Sequence, residues 1–300
     1  MTTTTLTSLP DKIGSATLIG NFENGSPEWD ELRTRGIGGS DIAAAVGCSP
    51  WTSPFALWAK KTGRIDDTFV PSEAAEWGNR LEPVVLDAFE EKSGLKLHRN
   101  PGTWANVDRD WQLANPDALY ETPDGKLGIV EVKTSRYEDD WSQGVPAYYK
   151  TQVQWYAQTF GFETTIYVVA LFAGSKFKVY EVEPDAFEQG TNLATVEKFR
   201  VHLIEDSQPD FDGALSTLQT VRELHPLIDT EADDVELGDL GMHYFLAVDK
   251  FAEAEKHLNE MKARVLDGMG NAKRGLVNDA WMVTRQSRAG GVPYLVNKKG

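Results

Sequence analysis

Three hundred residues, 41% of them hydrophobic and 10% aromatic, can bury one large core with an appendage. A formal charge of −16 argues against a protein that coats nucleic acid through a basic face. It leaves room for one that grips nucleic acid locally, with cations offsetting its carboxylates. The single cysteine, Cys48, excludes an internal disulfide, a four-cysteine zinc site and a four-cysteine iron–sulfur cluster.

In chain order, MTTTTLTSLP has neither the basic region nor the apolar core of a secretory signal. Residues 1–25 read as a polar lead-in, partly disordered. Ser26-Pro27 opens a helix that carries Trp29 and Leu32 inward. Gly36, Gly38 and Gly39 break it, and Ser40 then caps a short helix over 41–46 ended by Gly47. Ser53-Pro54 opens another through Lys61, and a longer helix is expected over 72–93 with a kink at Pro83. Strands are expected near 95–99, 102–107, 111–114, 118–122 and 127–133, the last two joined by a turn at Pro123-Asp124-Gly125. A helix at 146–161 precedes two more strands, TTIYVVALF and KFKVYEVE, and the chain is helical again beyond about 186. The apolar run IYVVALFA, residues 166–173, is too short to span a bilayer, so no membrane is expected as a partner. Residues 229–239 hold six acids and no base and read as an exposed linker. Apolar residues at 244, 248, 251, 254, 258, 261 and 265 mark an amphipathic helix. The end reads as a β-hairpin, with six bases against one acid from 272 onward. Three parts result: a lead-in over 1–25, a core over 26–185, and a helical extension over 186–300 ending in the basic hairpin.

The chemistry centres on GIVEVKTS, residues 128–135. Strand side chains alternate, so Glu131 and Lys133 share a face, and desolvating both costs several kcal/mol each. An isolated pair of this kind reads as a strand-edge ion pair. The partner strand changes that reading, because Asn115-Pro116 bends Asp117 out of the sheet at the lip of the same hairpin. Two carboxylates beside a lysine can hold Mg²⁺ through hard oxygen ligands and leave it several waters. The cation lowers the pKa of a water and offsets phosphodiester charge, while the lysine orients that water. This is the PD-(D/E)xK nuclease pattern, carried by Pro116-Asp117 and Glu131-Val132-Lys133.

Three further stretches bear on it. Glu82 in GNRLEP is a carboxylate on an otherwise apolar helix face with Leu81, Val84, Val85 and Phe89. It reads equally as a solvated helix charge or as the third acid that a nuclease of this kind takes from the preceding helix. Gln152 and Tyr156 lie four apart on one helix face, where the amide bridges a water or a phosphate, or packs. In RTRGIGGSD, Gly39 and Ser40 lead into a helix with free N–H groups behind Arg33 and Arg35, a set suited to a phosphate. An ordinary glycine turn with an N-cap is the simpler reading of that stretch alone.

The ordered motifs W-xx-LR-xx-GIGGSD, GNRLEP, NPDAL, VEVKT and YKTQVQWY resemble the YqaJ-type viral recombinase family. That family is similar to lambda exonuclease and the alkaline exonucleases, and the resemblance covers roughly residues 26–185. It implies an α/β fold with a restriction-endonuclease-like core, a mixed central sheet flanked by helices, plus a mainly helical C-terminal extension. It further implies that Asp117, Glu131 and the Val132 carbonyl ligate Mg²⁺, for which Mn²⁺ substitutes. Lys133 then positions the nucleophile, with Glu82 and Gln152 completing the network. Arg33 and Ser40 correspond to the positions that hold the 5′ phosphate, and the residues' own chemistry adds Arg35, Gly39 and Tyr156 to the set expected to hold the phosphate and the DNA. The expected activity is 5′→3′ digestion of one strand of linear double-stranded DNA, leaving 3′ overhangs for phage-type recombination. A phage single-strand annealing protein as partner, a ring-shaped homo-oligomer and the cytoplasm of a bacterial host, for a phage or prophage product, follow from the same resemblance. An endonuclease of the same fold and a catalytically silent DNA-end-binding or assembly protein are the rivals.

Overall fold

The computed structural model describes residues 9–22, 26–66, 72–277, 281–288 and 290–299. The chain divides into two compact units between Ile228 and Asp229. In the first, helices α1 (Pro27–Arg35), α2 (Gly39–Ala45), α3 (Pro54–Lys61) and α4 (Glu73–Ser93) precede most of the strands. Serines 26, 53 and 72 cap α1, α3 and α4 by accepting from backbone N–H groups in the first turn. Pro83 lies inside α4, which ends at Gly94 in the left-handed conformation. Strands β1 (Lys12–Ile13), β2 (Ala16–Gly20), β4 (Thr103–Asn106) and β5 (Leu113–Ala114) form one antiparallel sheet.

The second sheet positions the site. It takes β3 (Lys96–Arg99), β6 (Ala118–Glu121), β7 (Leu127–Ser135), β8 (Ile166–Phe172) and β9 (Lys176–Val182) in the order β3-β6-β7-β8-β9. All neighbours are antiparallel except β7 and β8, which run parallel and are linked through helix α5 (Ala147–Phe160). Alternation along β8 sends Ile166, Val168, Ala170 and Phe172 into the larger core with α5. Tyr167, Val169 and Leu171 face the smaller core, which α4 covers with Val85, Leu86 and Phe89. The same rule places Ile129 on the α5 side of β7 and Val130 and Val132 on the α4 side. Helix therefore covers both faces of a mixed sheet, as expected. Val84 departs from the expected apolar face and stands 59% exposed.

Both ends of this unit differ from the sequence reading. The supposed lead-in forms β1 and β2, with Ile13 and Ala16 in the core. Gly14 turns at φ +55, and a Cβ there would stand 2.1 Å from the Phe160 carbonyl oxygen. The segment buries Ile13 and Ala16, with Leu9 and Leu18 partly buried beside them, and pairs with β4, far along the chain, so no local periodicity reveals it. Residues 1–8 and 23–25 of that stretch lie outside the described residues. At the other end the core continues past 185. Helix α6 (Ala186–Ile204) buries Val196 and Phe199 against it, and α7 (Leu215–Leu224) ties into the cap of α3 through Thr217 Oγ1, 2.7 Å from Ser53 Oγ.

The second unit holds α8 (Gly238–Met269) and an antiparallel sheet of β10 (Arg274–Val277), β11 (Trp281–Gln286) and β12 (Tyr294–Lys299). The expected hairpin gains β10 as a third strand. Helix α8 buries none of its side chains; Tyr244 and Phe251 are 65% and 71% exposed. No helix among the described residues is long and apolar enough to cross a membrane.

Candidate active site

The site begins where β6 stops. Ala118 pairs with Val130, and beyond that point β7 keeps a neighbour, among the described residues, only on its β8 side, through Ser135. The other edge at 131–133 is free. There Asp117 Oδ2 accepts the Val132 N–H at 2.6 Å, taking the place of the missing strand. A residue in an antiparallel ladder presents its N–H and C=O to the same neighbour, so the Val132 carbonyl belongs to this freed edge too.

Glu131 is buried at 2% exposure, and its Oε1 accepts from Lys133 Nζ and from Gln152 Nε2, each at 2.6 Å. Its Oε2 is buried without a partner among the described residues, a costly arrangement in a protein interior. Gln152 also donates to the Tyr156 hydroxyl at 3.1 Å, and that hydroxyl donates to the Asn115 carbonyl at 3.2 Å. Lys133 Nζ lies 4.8 Å from the centre of the Tyr149 ring.

The electrostatics are those of crowded acid. Burial, then the charge of Glu131, pushes the Asp117 carboxyl well above its ordinary range, against the pull of Lys133. Glu82 reaches the group from α4 and is raised by burial and by Glu131, again offset by Lys133. Burial alone would lower the Lys133 ammonium, yet Glu131 and Asp117 hold it above the usual lysine value. Asp117, Glu131, Lys133 and Glu82 thus act on one another's charge, and Gln152 joins them by its hydrogen bond to Glu131. Among the described residues no three His, Cys, Asp or Glu side chains gather closely enough to hold an ion by themselves. The donors offered are two carboxylates, one with an unpartnered buried oxygen, and a backbone carbonyl. That hard, incomplete oxygen set fits Mg²⁺, which keeps several of its waters.

The glycine loop folds beside this cluster. The Ile37 N–H donates to the Trp111 carbonyl at 2.8 Å, and its own carbonyl accepts from Leu113 N–H at 3.0 Å. Gly39 packs flat on Tyr156: a Cβ would fall 2.4 Å from that ring. Gly38, not Ser40, occupies the cap of α2, and its N–H goes to Asp41 Oδ2 at 3.1 Å. Ser40 is exposed within the first turn. Arg33 lines a cavity of about 150 Å³ with Gly39, Ser40, Asn115, Gln152 and Tyr156, which joins the loop to the acid cluster. An adjoining cavity of about 390 Å³ adds Lys60 and Lys61. Arg35 is not brought in. Its side chain is 76% exposed, paired with Glu31 one turn away, and lines neither cavity.

The sequence reading passed over Asp41 and Lys61. Asp41 Oδ2 sits 3.0 Å from Lys61 Nζ, Oδ1 lies 3.3 Å from Arg33 Nη2, and both the acid and Lys61 are buried. Lys61 Nζ also donates to the carbonyls of Arg33 and Gly36, at 2.5 and 2.9 Å. An acid three residues past the glycine at the cap is the one local signal for this tie. Burial pushes Asp41 up, but Lys61, then Arg33 and the Gly38 N–H, outweigh it and hold the carboxyl below its ordinary value. Asp41→Asn strands the buried Lys61 charge and should cost about 3–5 kcal/mol at neutral pH. A depressed acid stabilises above its unfolded pKa, about 3.9, and that contribution is lost as pH falls through the folded value. Chemical denaturation of both proteins should therefore show the gap closing below about pH 4; a gap independent of pH removes the ion pair as its cause.

A mixed sheet with helices on both faces and acids beside a lysine at a freed strand end defines a restriction-endonuclease-like fold. The architecture is shared with an alkaline exonuclease, LHK-Exo, from Laribacter hongkongensis, at a TM-score of 0.52 and 17% identity over 68% of this chain and all of that one. A structure of LHK-Exo with dAMP matches at a TM-score of 0.50 and 18% identity over 61% of this chain and 94% of that one. Residues 28–163 match the YqaJ-like viral recombinase domain. The uncharacterized protein YqaJ of Bacillus subtilis is 29% identical over 87% of this chain and 84% of its own. Protein D345L of African swine fever virus is 26% identical over 43% of this chain and 44% of its own.

Proposed function

We propose that the chain is a metal-dependent 5′→3′ exonuclease acting on the ends of double-stranded DNA and leaving 3′ overhangs for recombination. The observation that carries this reading is the coupled cluster of Asp117, Glu131 and Lys133 at the free edge of β7, with Glu131 Oε2 unpartnered. Asp117, Glu131 and the Val132 carbonyl would hold Mg²⁺ or Mn²⁺, with Glu82 on its waters. The cation, when bound, supplies charge neutralisation at the phosphodiester and an acidified water. Gln152 fixes Glu131 through Oε1, leaving Oε2 as the free donor. Lys133, held above the usual lysine value, stays charged and orients the attacking water or offsets charge growing at phosphorus. A catalytically silent protein is disfavoured, because this cluster costs stability unless something binds it. The annealing partner, the ring of identical copies and the bacterial cytoplasm enter through the family alone.

The decisive experiment is digestion of linear and closed circular duplexes in Mg²⁺ and in EDTA. Cutting of the closed circle shifts the reading to an endonuclease, and no digestion of either removes it. End polarity rests on Arg33 and Ser40 at the mouth of the smaller cavity, with Tyr156 behind them. The seven-residue α2 contributes little as a helix end, because Asp41 already takes the Gly38 N–H. A guanidinium on a terminal phosphate contributes about 1.5–3 kcal/mol, a roughly ten- to hundredfold preference for phosphorylated ends. Arg33→Ala should erase that preference in digestion rates while slowing 5′-hydroxyl ends little. Equal digestion of both ends by the wild type places the pocket elsewhere.

A further inference from the structure

An aromatic cluster that this mechanism leaves idle begins at Lys133 and runs out to the surface. The Tyr149 ring, 4.8 Å from Lys133 Nζ, lies 4.4 Å from Tyr148 in an edge-to-face contact. Tyr148 in turn meets Trp51 at 4.8 Å, also edge-on, and Trp51 stands 6.3 Å from Tyr149. Behind them the buried Trp141 packs on Tyr149 at 5.6 Å and fixes the inner end. The outer end is open. Trp51 is 62% exposed on the connection between α2 and α3, which Ser49 Oγ holds by accepting the N–H groups of Trp51 and Thr52 at 3.2 Å each. A large aromatic ring kept in water on a braced turn, next to a reacting centre, has unused stacking capacity.

We propose that Trp51, with Tyr148 at its edge, is a stacking platform for an unpaired nucleobase at the DNA end, a subsite resting on the nuclease reading above. The separations from Lys133 to Tyr149 and on to Trp51, 4.8 and 6.3 Å, put the platform within reach of the scissile phosphate. At 3.4 Å per nucleotide along one strand, that is at most about three nucleotides. The chemistry selects a base and not a phosphate. The charge of Asp140 acts on both Tyr148 and Tyr149, and the neighbouring Lys150 is engaged with Glu188 at 2.6 Å. An acid repels the backbone and tolerates the neutral face of a base. A protein partner fits less well, since two side chains fall far short of the roughly 800 Å² per partner of a standard interface. Stacking is sequence-tolerant because every base has a π-face, which suits an enzyme that digests whatever sequence reaches it.

The test measures binding in EDTA, where no cleavage occurs, by anisotropy of labelled duplexes with a short unpaired end. The same duplexes carrying abasic sites in the unpaired nucleotides serve as the second ligand. Trp51→Ala should weaken binding of the intact end roughly five- to hundredfold, as expected for one base–aromatic stack. It should bind the abasic end as the wild type does, and Trp51→Phe should recover most of the loss. Trp77→Ala, which removes another exposed tryptophan, should leave both affinities unchanged. The proposal is overturned if Trp51→Ala binds the intact end normally, or if it weakens intact and abasic ends alike. Wild-type digestion alongside a silent Trp51→Ala sinks this inference alone, whereas a wild type that neither binds nor digests DNA sinks the nuclease reading with it.

Discussion

Lys133→Ala is expected to lose about two to three orders of magnitude in turnover on linear duplex, the loss seen when one preorganised charge-stabilising donor is removed. Affinity for DNA in EDTA should stay within a few-fold, because Lys133 is 84% covered and faces Glu131 and Tyr149, not the protein surface. The variant carries a second signature. Lys133 is the cation that offsets Glu131, Asp117 and Glu82, so its removal leaves three acids facing one another. The metal-free variant should therefore melt below the wild type at neutral pH and regain stability as Mg²⁺ is added. Lys133→Arg keeps the charge but not the compact ammonium, and should recover the melting temperature without the turnover. Near-normal turnover in Lys133→Ala would sink the nuclease assignment.

Asp117→Asn should act in the opposite sense on the metal-free protein. The folded Asp117 carboxyl is raised well above its unfolded value of about 3.9. A raised acid binds more protons folded than unfolded, so stability falls as pH climbs through the window between the two values. Asp117→Asn removes that slope and should be the more stable protein in EDTA at neutral pH. The order reverses with metal. At a hundredfold excess over its dissociation constant, Mg²⁺ should stabilise the wild type by about 2.7 kcal/mol and the variant far less. Thermal melts across pH, with and without Mg²⁺, check both halves, and isothermal titration reads the affinity directly. Unchanged Mg²⁺ affinity in Asp117→Asn would remove Asp117 as a ligand.

The acid cluster was legible because its members are close in sequence and strand alternation is strict. Glu131 and Lys133 two apart must share a face of β7, and the proline before Asp117 marks where β6 begins. Serine caps made α1, α3 and α4 readable in the same way. Ser40 misled, because an acid at the third position of α2 captures the Gly38 N–H and moves the cap two residues earlier. Arg35 misled for a simpler reason. Two residues apart on a helix point to different sides, and only Arg33 turns towards Asp41.

What the sequence by itself determined were the local elements of the core and the spacing of the acids and lysine, since caps, periodicity and turn chemistry act within a few residues. Tertiary structure alone decided the rest. It paired β2 with β4, carried the core to α7, and buried Asp41 against Lys61. It also freed one edge of β7, left Glu131 Oε2 unpartnered, and set Trp51 beside Tyr148 and Tyr149. Each of these joins groups distant along the chain, or depends on where a neighbouring strand stops. Desolvation and partner choice are properties of the packed neighbourhood, and no short stretch of sequence contains that neighbourhood.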